Sequence, residues 1–140
     1  MPETTPHFLT MLAEQYAACL AERVRSPPQQ HMVVEIEEVE TAGERAESRV
    51  HDILTLGGAA AWELILAIVK ALPDDQEILE AFGAGVFEYP WCEEERVFAV
   101  RADLEERLRA DPKLRTVVRS CWSGSETLGR ILDRMGLHRG

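Results

Sequence analysis

Two carboxylates, Glu63 and Glu88, are set apart by their surroundings in this 140-residue chain. Glu63 interrupts the apolar run from Ala59 to Leu72, and Glu88 follows the glycine pair of Gly83-Ala84-Gly85. Two carboxylates brought into one pocket can do general acid–base work if burial raises the pKa of one of them. A simpler reading is favoured. Glu63, placed near the start of a helix, complements the positive end of the macrodipole, and Glu88 caps backbone groups of the bend.

Other reactive side chains fall into no known pattern. His7, His31, His51 and His138 are scattered and form neither H-E-x-x-H nor a Cys/His metal spacing, so no metal is expected. The chain holds no G-x-S-x-G, phosphate loop or dinucleotide fingerprint, and no cofactor is expected. Cys19, Cys92 and Cys121 form no C-x-x-C pair, and nothing near Met1 joins a basic region to an apolar stretch and cleavage site. The expected setting is the cytoplasm, with free thiols.

Recognition is the other chemistry the residues could support. Trp62 and Trp122 sit on regular apolar stripes and are expected in the core. Trp91 follows Pro90 and precedes Glu93-Glu94-Glu95, so it is expected as an exposed aromatic beside acid. The net charge is −10, unevenly spread: residues 1–95 hold 5 Lys/Arg against 19 Asp/Glu, a balance of −14, while residues 96–140 hold 10 against 6, a balance of +4. An acidic body repels phosphate backbones and suits basic partners, although acidity also serves solubility.

The elements that must position these residues read as helices. Thr5-Pro6 opens the first, whose inner face is Phe8, Leu12, Tyr16, Cys19 and Leu20, and Ser26-Pro27-Pro28 ends it. From His31 to Thr41, Met32, Val33, Ile36 and Val39 keep a helical period, with Glu35, Glu37, Glu38 and Glu40 on the other face. Past a break at Gly43 come Val50, Ile53, Leu54 and Leu56, then a turn at Gly57-Gly58. The 14 residues from Ala59 to Leu72 are apolar nearly all round, which marks a central buried helix, and are fewer than the about 20 that a membrane span requires.

Asp74 with Glu77 reads as a capping box for Ile78, Leu79 and Phe82, and Gly83 to Trp91 is the irregular part, suited to a bend or a site. Val97, Val100, Leu104 and Leu108 share one helix. Asp111-Pro112 opens another that carries Leu114, Val117, Val118, Cys121 and Trp122. Ser123 with Glu126 caps the last, and Gly136 stops it. Composition, 46% hydrophobic and 29% charged, is that of a globular protein. The expectation is a single all-α domain over 1–140, either a compact bundle of antiparallel helices or a short solenoid of helical hairpins.

From Ala61-Trp62-Glu63-Leu64-Ile65 the chain resembles a bacterial family catalogued as a domain of unknown function. The likeness runs through Ala71-Leu72-Pro73-Asp74-Asp75, Gly83-Ala84-Gly85 with Glu88, Leu104-Glu105 and Ala110-Asp111-Pro112-Lys113-Leu114-Arg115 to Trp122, over about residues 50–122. Where that family's glycine motif continues into Pro-Leu-Glu and a Leu pair, this chain has Val86-Phe87-Glu88 and then Tyr89-Pro90-Trp91. The resemblance implies a helical fold and brings no activity with it.

Three functions compete. The leading one is a non-enzymatic, immunity- or antitoxin-like module that engages a basic protein through Glu35, Glu37, Glu38, Glu40, Trp91, Glu93, Glu94 and Glu95. The second is a small enzyme with a carboxylate site around Glu63 and Glu88. The third is nucleic-acid binding through Arg101, Arg107, Arg109, Lys113, Arg115 and Arg119. It is weakened because Asp103, Glu105, Glu106 and Asp111 interleave with those cations and suggest i,i+4 pairing.

Overall fold

The computed structural model describes residues 6–25, 42–122 and 124–137. Among them the chain is all α. It comprises α1 (Pro6–Arg25), α2 (Ala42–Leu56), α3 (Gly58–Ala71), α4 (Gln76–Phe82), α5 (Glu94–Ala99), α6 (Arg101–Ala110), α7 (Pro112–Arg119) and α8 (Glu126–Arg134), with a wound segment, Gly83–Trp91, between α4 and α5. Thr5, the Ser26-Pro27-Pro28 stop, the helix expected from His31 to Thr41 with its four glutamates, Ser123 and His138 lie outside the described residues.

α3 packs against α1, α2 and α7, α1 also meets α4, and α5 meets α8. Solenoid units touch only their neighbours in the chain, so these contacts make a compact multi-helix bundle and set the solenoid aside. One cluster of buried apolar side chains draws on every helix. α3 is its centre, with Ala61, Trp62, Leu64, Ile65, Ile68 and Val69 all buried. Gly57 and Gly58, at φ 76° and 77°, adopt the left-handed geometry that lets α2 give way to α3 across one residue. Leu56, expected on the inner stripe of α2, is 84% exposed. Two residues from the fully buried Leu54, it lies on the opposite side of a helix with 3.6 residues per turn.

Gly83 does not stop α4. The backbone winds on through a π-type segment, closed by Cys92 N–H donating to Phe87 O at 3.0 Å and irregular at Gly85 and Tyr89. Gly83 is needed for contact: a Cβ there would collide with the carbonyl oxygen of Val117 and stand 3.0 Å from Ser120 Cβ. The single helix expected through Val97 and Leu108 is broken at Val100 (φ −112°, ψ 16°), a β-branched residue with weak helix preference. The break lets α5 pack on α8 while α6 also meets α7.

The helix ends explain much of the charge. Asp111 Oδ1 accepts from Lys113 N–H at 2.9 Å and Leu114 N–H at 3.3 Å, as the Asp-Pro pair implies. For α4 the cap is Asp75 rather than Asp74, its Oδ1 accepting from Ile78 N–H at 3.2 Å. For α8 it is Ser125 rather than Ser123, its Oγ accepting from Leu128 N–H at 3.1 Å.

At the other ends, Arg96 donates to Leu54 O at 2.9 Å and Thr55 O at 2.6 Å, and Lys113 to Lys70 O at 3.0 Å and Leu72 O at 2.6 Å. Arg115 donates to Leu108 O at 2.7 Å and Arg109 O at 3.2 Å. Three cations of the basic C-terminal third thus satisfy the orphan carbonyls that close α2, α3 and α6.

Candidate functional site

Trp62 enters the core from α3 and Trp91 from the end of the wound segment, and the indoles stack with centroids 5.4 Å apart and planes 21° from parallel. The stack continues through Phe87 (5.3 Å from Trp91), Phe82 (6.2 Å) and Tyr16 (6.2 Å), an aromatic string from the middle of α1 to α3. Each such pair adds about 0.5–1.5 kcal/mol beyond the area it buries. At the outer end, Trp62 Nε1–H donates to Asp103 Oδ2 at 2.8 Å, and Arg107 Nε donates to the same oxygen at 2.8 Å. The indole bond, with Arg107 beside it, holds the Asp103 carboxyl below its usual range.

Beside this pair lies a cleft of about 420 Å³ between the start of α3 and the α5–α6 junction, with Ala59, Trp62, Trp91, Ala99 and Val100 as apolar walls. Glu63 and Glu95, both exposed, stand at its edge. Arg96 also lines it, but its guanidinium is taken by the carbonyls of Leu54 and Thr55 and by Pro90 O at 2.8 Å. An apolar floor below two carboxylates suits an alkyl stem that ends in a cation.

The two tryptophan expectations for Trp91 and Trp122 are reversed. Trp91 is 1% exposed and Trp122 73%. The period that placed Trp122 inside applies only while the backbone is helical, and α7 ends at Arg119, three residues before it. Trp91 is carried inward by the winding of Gly83–Trp91, which no periodicity announces.

Glu63 lines this cleft and Glu88 does not. Glu63 lies in the second turn of α3, away from the macrodipole end expected for it. Glu88 Oε1 accepts from Trp122 N–H at 2.9 Å, so it caps the chain after α7 rather than its own bend.

Glu93, Glu94 and Glu95 are all exposed, but Glu94 is also a structural tie. Its Oε1 accepts from Ser125 Oγ (2.8 Å) and Thr127 N–H (3.0 Å), and its Oε2 from Thr127 Oγ1 (2.7 Å). The bonds from Thr127 and Ser125 at the start of α8 lower its pKa from 4.5 to about 2. The cleft therefore unites Glu63, Trp91 and Glu95. Trp62 also lines it; expected only as a core residue, it is oriented by Asp103, expected only as a partner of neighbouring cations.

The cations proposed for nucleic acid are largely occupied. Arg107 pairs with Asp103 (2.8 Å) and Arg109 with Glu105 (2.9 Å) four residues apart, while Lys113 and Arg115 close helices. The Cys19 thiol is pushed up, first by burial and then by Glu47 beside it, which works against nucleophilic use. Among the described residues no three His, Cys, Asp or Glu side chains cluster to hold a metal, and no helix is long and apolar enough to cross a membrane. Comparisons with protein-family models, curated proteins and solved structures find no match.

Proposed function

We propose that this protein is a non-enzymatic binding module for a basic protein partner, immunity- or antitoxin-like in its use of an acidic surface. The observation that carries the reading is the cleft in which the Trp62–Trp91 stack meets the exposed Glu63 and Glu95 carboxylates. A lysine or arginine of the partner lays its alkyl stem on the apolar walls and its charge between the two glutamates. The −14 balance of residues 1–95, including Glu35, Glu37, Glu38 and Glu40, steers the encounter.

Titration with an oligo-arginine peptide, against an uncharged peptide of equal length, tests this. Binding should be selective for the basic peptide and weaken as salt screens charge over about 8–10 Å. Glu63→Gln with Glu95→Gln should cost about 1–2 kcal/mol, on the order of tenfold in Kd. Changing Glu35, Glu37, Glu38 and Glu40 to Gln should mainly slow association. Salt-insensitive binding, unaltered in these variants, would refute the reading and leave the acidity as a solubility device.

A further inference from the structure

We propose that a second cleft at the α5–α6 junction binds a small anionic ligand that joins a phosphate to a flat ring, of the nucleoside monophosphate class. The inference is independent of the basic-partner reading. This cleft, about 380 Å³, lies between α5, α6 and α8, and Arg101, Arg130 and Arg134 line it together with Phe98 and Glu105. Three guanidiniums thus face one carboxylate in a chain of net charge −10.

That carboxylate is already divided. Glu105 accepts from Arg109 at 2.9 Å and from Arg134 at 2.7 Å, so both its oxygens are engaged by arginines other than Arg101 and Arg130. Arg130 reaches Glu126 only at 3.6 Å, with the side chains 70% and 79% exposed, a pair that a phosphate readily displaces. Unlike Arg96, Lys113 and Arg115, Arg130 closes no distant helix in these contacts. An arginine fork matches phosphate oxygens in pairs, which a point charge does not.

The ring preference comes from Phe98 and Arg101. Phe98 is 50% exposed, and the Arg101 guanidinium carbon lies 3.7 Å from its ring centroid, held by a 2.7 Å bond from Arg101 to Phe98 O. The exposed Arg101 guanidinium over this phenyl ring offers a cationic surface on which heterocyclic bases stack. Arg130 lines the same cleft as this platform and is the cation offered to a phosphate attached to the ring, since Arg134 is held by Glu105.

Calorimetric titration at low salt with AMP, adenosine and inorganic phosphate tests both halves of the site. AMP should bind with a Kd at or below about 1 mM, phosphate several-fold more weakly and adenosine more weakly still. Arg130→Gln should weaken AMP and phosphate alike, each by about tenfold. Phe98→Ala should weaken AMP while leaving phosphate unchanged, and Arg119→Gln should alter neither. Circular dichroism of each variant establishes that it is folded. Phosphate binding as tight as AMP would overturn the ring platform, and no AMP binding, or AMP binding indifferent to Arg130→Gln, would overturn the site.

Discussion

Replacing Gly83 by alanine sets two physical effects against each other, and the sign of their sum reports on the contact between α4 and α7. Gly83 has right-handed helical geometry (φ −63°, ψ −40°), in which alanine is intrinsically better than glycine by about 0.5–1 kcal/mol. Local propensity alone therefore expects a more stable protein. The tertiary structure expects the reverse, because the new methyl meets the Val117 carbonyl of α7 and stands 3.0 Å from Ser120 Cβ. A backbone carbonyl has no rotamer with which to move aside, and α7 is anchored by Leu114, Val117 and Val118 in the core.

Overpacking of this kind costs about 1–3 kcal/mol, with a backbone obstacle at the upper end, so the net loss should be about 2 kcal/mol. At about 2.1 cal/mol/K per residue, that is a fall in Tm of about 7 °C for a chain of this length. Thermal and urea unfolding by circular dichroism measure it. Gly124→Ala, where a Cβ meets nothing within 4 Å, is the control and should stay within about 0.5 kcal/mol. A Gly83→Ala protein as stable as the parent, or more so, would refute the close approach of α4 to α7. It would also refute the path that carries Trp91 into the core.

Trp62→Phe keeps the aromatic stack but removes the donor to Asp103, and should cost about 1.5–3 kcal/mol in urea unfolding, with the Asp103 carboxyl titrating closer to its usual range by NMR. Trp122→Phe should change stability by no more than about 0.5 kcal/mol while removing most of the fluorescence that iodide can quench; persistent quenching would place another indole at the surface. Glu94 carries a folded pKa lowered from 4.5 to about 2, so its contribution is complete above the unfolded value and is lost as pH falls between the two. Glu94→Gln should therefore lose stability at neutral pH and show a flatter acid decline over that window, and parallel decline curves would contradict the Ser125–Thr127 tie.

What could be read along the chain is what short-range geometry encodes. Asp111-Pro112 caps α7, Gly57-Gly58 separates α2 from α3, and Gly136 (φ 72°) stands just past α8, because each requires only a backbone preference and its immediate neighbours. The apolar stretch of α3 likewise announced the centre of an all-α fold. Capping acids and serines were legible as a class but missed by one or two residues at Asp75 and Ser125, since several adjacent side chains could make the same bond.

The site was legible only in part. Glu63, Trp91 and Glu95 stood out by residue type, but their meeting in one cleft depends on the winding of Gly83–Trp91 and the break at Val100. The roles of Arg96, Lys113 and Arg115 depend on carbonyls 42, 41 and 7 residues away in sequence. Trp91 and Trp122 exchanged their expected places for the same reason. Periodicity records which face a side chain takes while a helix lasts, whereas burial beyond its end is decided by what the rest of the chain packs there.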